Sequence, residues 1–235
     1  MPAAGCRDED RMSIASEIEE LRAQLPPSVR LAAVSKFHPA ERILEAYRAG
    51  QRIFAESRPQ ELAAKAAGGL PEDIEWHFIG HLQTNKLKMV LPHAALIHSV
   101  DSLKLLGEIN KYVAARGLPK AQCLLEVFIA REESKQGFDE SELAALAEQW
   151  RREPLPGVEI RGLMGMASFV EDAGQIRSEF ARLAALFRKM KAECADVFPR
   201  FDELSMGMSN DYPLALEYGS TLVRIGTRIF GPREY

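Results

Sequence analysis

The chain has 235 residues, of which 46% are hydrophobic and 27% charged, and its formal net charge is -4. This length suits one large domain or two small ones, and the charge balance gives no sign of a nucleic-acid or acidic-membrane partner. The three cysteines are far apart and form no CxxC pair, which argues against a disulfide framework or zinc site and favours a reducing compartment.

The first residues precede the patterned part of the chain. Residues 1–11 are charged and lack an apolar core, so they do not form a signal peptide, and we expect them to be disordered. No apolar run approaches the length of a membrane span. We therefore expect a cytoplasmic protein without membrane contact, folded as a single domain over residues 12–235.

An amphipathic helix opens the domain. Ile14, Ile18, Leu21 and Leu25 recur at the spacing of one helix face, and Pro26-Pro27 ends the helix.

Apolar runs and helical patterns then alternate along the chain. Strands are predicted at 29–35, 52–56, 75–79, 94–100, 123–129, 158–164, 203–208 and 222–225. Helices are predicted at 39–49, 59–67, 83–91, 101–113, 139–150, 176–190 and 212–218. Asp101 is the expected cap of the fourth of these helices, and Asp139 with Glu142 is the expected capping box of the fifth.

This alternation predicts an α/β fold. Several strands are apolar on both faces, as parallel strands covered by helices should be. Eight βα units in a chain of this length indicate a single-domain TIM (β/α)8 barrel with an extra N-terminal helix. A doubly wound open sheet is the alternative.

Two apolar runs near the C-terminus end in small polar residues. The first run, 204–208, leads into Ser209, and the second, 221–225, leads into Gly226 and Thr227. Strand ends of this kind leave backbone N–H groups free, glycine lets an anion approach the backbone, and a hydroxyl adds a donor. Two such ends side by side predict a phosphate-binding site.

Two basic residues fall on the inner face of the predicted barrel. Strand alternation places Lys36 at the carboxyl end of the first strand, where barrel active sites lie. Apolar surroundings would favour its neutral amine, which attacks aldehydes, whereas a surface lysine in a loop is the alternative. Arg224 faces inward on the last strand, and a structural salt bridge with Glu56 or Glu126 would explain it equally well.

Four histidines raise the question of a metal site. His77 and His81 have HxxxH spacing, which brings two ligands together only on a helix. Since this stretch is predicted as a strand ending at Gly80, we interpret the histidines as core or capping residues and predict no metal site.

Taken together, these motifs closely resemble one family, the pyridoxal-phosphate homeostasis proteins, whose bacterial members are called YggS-like. The resemblance runs from about Leu31 to Tyr235. It is carried by AVSKFHP (33–39), RPQE (58–61), WHFIGHLQTNK (76–86), HSVDS (98–102), KQGF (135–138), GLMGMA (162–167), LSMGMSNDY (204–212) and GSTLVRIGTRIFGPREY (219–235).

The resemblance implies a fold and a cofactor. It implies a barrel of PLP fold-type III, similar to the N-terminal barrel of alanine racemase, with pyridoxal 5'-phosphate (PLP) held as a Schiff base on Lys36. The family's phosphate-binding groups fall on Ser209, Gly226 and Thr227, with Met208 counted beside them. The arginine that faces the pyridine nitrogen falls on Arg224. An arginine can only donate, so the ring nitrogen stays unprotonated and the ring is a poor electron sink.

One departure from the family pattern concerns a further cofactor contact. Family members commonly read Gly-Glu-Asn after the second strand, whereas this chain reads Ala55-Glu56-Ser57. We count Ser57 with the cofactor-binding residues, although a serine reaches less far than an asparagine and a water molecule would bridge the gap.

The resemblance favours a non-enzymatic function. We expect a monomeric protein that binds PLP, contributes to intracellular vitamin B6 homeostasis and delivers PLP to apo-enzymes, with no catalytic residue. A PLP-dependent amino-acid racemase is the alternative, but that chemistry needs a second base from a further domain, and the chain ends about ten residues after its eighth strand. A barrel that binds another phosphorylated metabolite, with Lys36 as a counter-charge, is a third interpretation.

Overall fold

Eight parallel strands form a closed barrel in the computed structural model, which describes residues 13–130 and 136–232. Each strand pairs with the next in chain order, and the eighth pairs with the first. The strands are β1 (Arg30–Val34), β2 (Ile53–Glu56), β3 (Glu75–Phe78), β4 (Leu96–Val100), β5 (Ala121–Glu126), β6 (Val158–Met164), β7 (Glu203–Ser205) and β8 (Leu222–Ile225). The predicted barrel is therefore confirmed, and the open-sheet alternative is wrong.

Helices surround the barrel. They are α1 (Ile14–Gln24), α2 (Ala40–Arg48), α3 (Pro59–Ala66), α4 (Leu87–Val90), α5 (Leu103–Arg116), α6 (Glu140–Arg152), α7 (Ala173–Glu193), α8 (Tyr212–Glu217) and α9 (Thr227–Phe230). The extra helix α1 packs against α2 and α9. Within residues 13–130 and 136–232, every helix is too short or too polar to cross a lipid bilayer.

Several predicted boundaries need correction. The helix predicted at 83–91 is a 3-10 turn, Thr84–Lys86, followed by α4. Ser102, rather than Asp101, caps α5, because its hydroxyl accepts the N–H of Leu105. The capping box of Asp139 and Glu142 is confirmed.

Six strands, all except β6 and β8, are one to three residues shorter than predicted, and one helix was not predicted. β5 ends at Glu126. β7 ends at Ser205, and the chain leaves this strand through Gly207, which has φ +95°. The short helix α9 follows β8 directly and was not predicted. The predicted disorder of residues 1–11 and parts of the segments 135–138 and 219–235 lie outside the described residues.

The core has two layers. Large apolar side chains such as Phe54, Phe78 and Phe180 fill the space between the strands and the helices. A smaller apolar cluster fills the barrel interior, and it consists of Ala32, Val34, Ala55, Leu96, Leu124, Met164 and Leu222. Polar side chains occupy the rest of the interior, since His77, His98, Ser205 and Arg224 are all at most 4% exposed.

Matched glycine substitutions test the strand packing. Gly162 has φ +151°, and an added Cβ would collide with the backbone oxygen of Glu203 on the neighbouring strand. We expect Gly162→Ala to lower the free energy of unfolding by about 3 kcal/mol. Gly107 lies inside α5 with open space around it.

The control substitution is Gly107→Ala, which should raise the free energy of unfolding by about 0.5–1 kcal/mol through helix propensity. Urea denaturation of both variants measures the difference. Equal effects of the two substitutions would contradict the close approach of β6 and β7.

Candidate functional site

A cavity of about 360 Å³ opens at the carboxyl end of the barrel. Six of the seven predicted site residues line it, namely Lys36, Met208, Ser209, Arg224, Gly226 and Thr227. The seventh, Ser57, directly follows β2 at the same end of the barrel but is not part of the lining. Three strand ends that are distant in sequence, those of β1, β7 and β8, thus bring the predicted residues together.

Backbone N–H groups at two of these strand ends have no acceptor among the described residues. Within the described part of the chain, no hydrogen bond is donated by the amides of Ser209, Asn210, Gly226 and Thr227. The hydroxyls of Ser209 and Thr227 border the same cavity. Free amides and hydroxyls at adjacent strand ends form the donor set that binds a phosphate group.

Glycine is favoured at both turns of this site. At Gly226 an added Cβ would lie 3.0 Å from the carbonyl oxygen of Val34. At Gly207 it would lie 2.8 Å from the Cβ of Ala215, and the positive φ also favours glycine. These turns let β7 and β8 end side by side at the cavity.

Asp211 shapes the turn after β7. Its carboxylate accepts the N–H of Met208 at 2.5 Å. The side chain is 7% exposed, and burial raises the pKa of the carboxyl group. This bond leaves the next two amides, those of Ser209 and Asn210, free for a ligand.

The chain turns sharply after Lys36. Phe37 has φ +69°, which is unusual for a non-glycine residue and costs on the order of 1–3 kcal/mol. Its N–H donates to Glu61 Oε1 at 2.6 Å, and the Arg58 guanidinium stacks 4.3 Å from its ring centroid. Strain of this kind persists only where the surroundings enforce it, so the backbone that carries Lys36 is held in one conformation.

A buried ion-pair network supports the same turn from behind. Lys65 Nζ bonds to Glu56 Oε1 at 2.8 Å, to Glu61 Oε1 at 2.7 Å and to the carbonyl oxygen of Ser35 at 2.9 Å. Burial raises the pKa of Glu56 to about 7, against the opposing effect of Lys65. The residues on both sides of Lys36 are thereby anchored to α3.

This network was not predicted from the sequence. Glu61 and Lys65 stand four residues apart on α3, a spacing that favours an ion pair. That signal was available, but nothing local indicates that the pair turns inward to Ser35 and Phe37.

Arg224 is buried, and no carboxylate of the described residues lies within ion-pair distance of it. Its Nη1 bonds to the Ser205 carbonyl oxygen at 3.0 Å and to Ser205 Oγ at 2.5 Å, and its Nη2 bonds to the Gly165 carbonyl oxygen at 3.1 Å. The salt-bridge interpretation is wrong for the described residues, since neither Glu56 nor Glu126 lies within ion-pair distance. Burial lowers the pKa of Arg224 to about 10, so the group stays protonated.

The guanidinium keeps donors for a ligand. Arginine has five side-chain N–H groups, and three of them are used by Ser205 and Gly165, which leaves two without an acceptor among the described residues. A buried cation with free donors at the cavity wall suits an acceptor atom of a bound molecule.

The described histidines lie in different environments. His77 and His98 are fully buried, which confirms their interpretation as core residues, whereas the side chain of His81 is 57% exposed. Within the described residues, no group of three or more potential ligands is arranged to hold a metal ion.

Glu126 is a buried carboxyl group at the end of β5. It is 4% exposed, and its Oε2 has no hydrogen-bond partner within the described ranges. Burial, together with the charge of Asp101, raises its pKa to about 7, although Arg224 opposes the shift.

The pH dependence of stability tests this carboxyl group. The pKa of Glu126 is about 7 in the folded state and 4.5 without the shift, so its stabilising contribution is complete below pH 4.5 and is lost as the pH rises through 7. We expect Glu126→Gln to gain about 2–3 kcal/mol of unfolding free energy relative to the wild type between pH 5 and pH 8. Urea denaturation of the wild type and the variant at pH 5 and at pH 8 measures this difference in unfolding free energy.

The matched control is Glu108→Gln, which removes a carboxylate from the surface of α5. If the difference in unfolding free energy between Glu126→Gln and the wild type is the same at pH 5 and pH 8, the raised pKa of Glu126 is contradicted.

The chain is similar in sequence and in fold to known proteins. The sequence profile of the family described as "Alanine racemase, N-terminal domain" matches residues 10–234. The chain is 42% identical over 237 residues to the pyridoxal phosphate homeostasis protein of Vibrio alginolyticus, covering 95% of this chain and 99% of that protein.

Two solved structures show the same fold. PipY of Synechococcus elongatus PCC7942 with PLP bound has a TM-score of 0.83 and 40% identity, over 93% of this chain and 100% of that one. Alanine racemase of Bartonella henselae with covalently bound pyridoxal phosphate has a TM-score of 0.71 and 19% identity, over 94% of this chain and 58% of that one. The chain belongs to the alanine racemase N-terminal domain family, among the relatives named pyridoxal phosphate homeostasis proteins.

Proposed function

We propose that the protein binds PLP as a Schiff base on Lys36 and serves in intracellular PLP homeostasis. The observation that carries the proposal is the cavity at the barrel end, where one lysine, one buried arginine and a set of unpartnered amides meet. The names of the relatives and the PLP-bound PipY structure support it.

The residues fit the chemical groups of PLP. The amides of Ser209, Gly226 and Thr227, which have no acceptor among the described residues, and the hydroxyls of Ser209 and Thr227 suit its phosphate. Gly226 has no side chain to cover its amide. The amine of Lys36 suits its aldehyde, and the free donors of Arg224 suit its ring nitrogen. When bound, PLP supplies an aldehyde that condenses with amines and a ring that can accept electrons.

We assign Met208 to the wall of this site and leave Ser57 as an indirect contact through water. Met208 lines the cavity, whereas Ser57 does not. We further propose that the protein acts as a cytoplasmic monomer that passes PLP to apo-enzymes. Transfer to an apo-enzyme that is faster than release of PLP into solution would support this step.

The racemase alternative needs a second proton donor facing the cofactor, in addition to the lysine. Among the described residues, no tyrosine lines the cavity. Tyr47 bonds to Asp73, and the Tyr212 hydroxyl bonds to Gln24 and Arg228. We therefore propose a binding protein rather than an amino-acid racemase, and turnover of alanine at enzymatic rates would contradict this.

The first experiment is the visible absorption spectrum of the purified protein with added PLP. We expect a yellow band in the wild type and its loss in Lys36→Ala, because the amine that forms the Schiff base is removed. Borohydride reduction followed by peptide mass spectrometry locates the modified lysine. Lys111→Ala, on the exposed face of α5, is the control and should remain yellow.

A colourless wild type that still binds sugar phosphates would favour the third interpretation, in which Lys36 is only a counter-charge. If the wild type is yellow but borohydride labels another lysine, the assignment of the Schiff base to Lys36 is wrong, whereas PLP binding itself stands.

The phosphate site is tested by Thr227→Val, which keeps the shape of the side chain and removes the hydroxyl. We expect the Kd for PLP to rise about tenfold, in line with the loss of one hydrogen bond to a charged group. The Kd for pyridoxal, which lacks the phosphate, should change less than twofold. Thr221→Val, whose hydroxyl contacts Glu203 and Leu204, is the control. Equal losses for PLP and pyridoxal would place the phosphate elsewhere.

A further inference from the structure

A continuous line of hydrogen bonds runs along the barrel interior from one end to the other. Glu75 Oε1 lies 2.9 Å from His77 Nε2, and His77 Nδ1 lies 2.9 Å from His98 Nε2. His98 Nδ1 lies 3.0 Å from Ser205 Oγ, which in turn lies 2.5 Å from Arg224 Nη1. The middle three residues are all 0% exposed. We refer to these five residues as the polar line.

The two ends of the polar line differ in charge. At the amino end of the barrel, Arg30 bonds to Glu75 at 3.2 Å and to Glu203 at 2.8 Å. At the carboxyl end the line stops at Arg224, which borders the cavity. A carboxylate fixed by Arg30 is therefore linked through neutral groups to the buried guanidinium.

The protonation states assign a direction to each bond. The hydrogen bond from His77 lowers the pKa of Glu75, so Glu75 is a carboxylate and only accepts. Burial lowers the pKa of His77 and lowers that of His98 further, so both rings are neutral. A neutral imidazole donates from one nitrogen and accepts at the other.

The order of donors follows from the carboxylate. His77 must donate from Nε2 to Glu75, so its Nδ1 accepts from His98 Nε2. His98 Nδ1 is then an acceptor, and the Ser205 hydroxyl must donate to it. Ser205 Oγ is left as an acceptor for Arg224. The carboxylate at the far end thus determines where the serine proton points.

We propose that Ser205 and His98 are positioning residues that hold Arg224 in its orientation toward the ring nitrogen of PLP, an inference that rests on the proposed function. With its proton directed to His98, Ser205 Oγ can only accept from Nη1. The Ser205 and Gly165 carbonyls fix the remaining bonded N–H groups. The free donors of the guanidinium are therefore held in place before PLP arrives.

A purely structural role for the polar line would mean only that these groups fill the barrel and satisfy one another. That role predicts a loss of stability on substitution but no selective effect on bound PLP. The positioning role predicts a change in the affinity and in the visible band of PLP that depends on the acceptor facing Ser205.

The direction of the line can be measured without PLP. Long-range ¹H–¹⁵N NMR correlations of the histidine rings distinguish the tautomers in the wild-type apo-protein. We expect both His77 and His98 as neutral Nε2–H tautomers. An Nδ1–H tautomer at His98 would make Ser205 Oγ accept from the ring instead of donating to it, and would overturn the inference.

The effect on PLP is tested with a pair of buried serines. Ser205→Ala should raise the Kd for PLP about tenfold or more and move the maximum of the visible band, because Arg224 loses a hydrogen-bond acceptor. Ser220→Ala is the matched control, since Ser220 is 3% exposed and its hydroxyl bonds only to backbone carbonyls of 204, 206 and 222. It should leave the Kd within twofold and the band unmoved.

Two variants of His98 provide a second test that does not depend on Ser205→Ala folding. Asparagine places an acceptor near the position of Nδ1, facing Ser205, whereas glutamine reaches the position of Nε2, facing His77. We expect His98→Gln to weaken PLP binding and move the band as Ser205→Ala does, and His98→Asn to recover most of the affinity. If His98→Gln and His98→Asn change the Kd for PLP and the visible band equally, the polar line has only a structural role.

The two proposals fail separately in these experiments. A wild type that takes up no PLP contradicts the proposed function, and the tautomers alone then decide the direction of the polar line. A yellow wild type whose Ser205→Ala variant matches Ser220→Ala contradicts only the positioning role.

Discussion

The burial of one guanidinium group organises the interior of this barrel. Arg224 is 4% exposed and has no carboxylate within ion-pair distance among the described residues, so its charge is stabilised by dipoles. Leaving such a cation without acceptors would cost several kcal/mol. The barrel supplies two carbonyls and a serine, and the serine is oriented by a histidine pair that ends at a carboxylate. These polar groups share the barrel interior with an apolar cluster that includes Ala32 and Ala55.

The cavity is supported from both sides by residues that do not line it. On the β1 side, Lys65 holds the backbone around Lys36 and the strained Phe37 through a buried ion-pair network. On the β8 side, Arg228 in α9 bonds to Glu17 and Glu20 of α1. The extra N-terminal helix thus fixes the short helix whose first turn carries Thr227. Such support limits the movement of the groups that would meet the aldehyde and the phosphate of a ligand, and so lowers the entropy cost of binding.

The sequence predicts those parts of the structure that follow from local rules. β6 and β8 match their predicted bounds because they are apolar runs between clear breaks, and alternation along β1 and β8 is enough to place Lys36 and Arg224 at one end of the barrel. The polar line could not be predicted, because its members come from four different strands and only the closed barrel with its register brings them together. Ser57 was placed at the correct strand end but does not line the cavity. Strand alternation predicts the end of the barrel at which a residue lies, but not whether a side chain as short as serine reaches the cavity. That the lining residues bind PLP stays a prediction.

The presence of Arg224 does not by itself distinguish a PLP-binding protein from a PLP-dependent enzyme. A donor-only group keeps the ring nitrogen unprotonated and weakens the ring as an electron sink, but it leaves proton transfer at the substrate carbon open. Racemisation also requires a proton donor on the face opposite the lysine, and no tyrosine among the described residues lines the cavity. Glu126 has a pKa of about 7, which suits proton transfer, but it is not part of the cavity lining. The cavity wall combines one lysine, Arg224 and the anion donors of the β7 and β8 ends. On the proposed function, its affinity for PLP depends on how rigidly Arg224 and these strand ends are held.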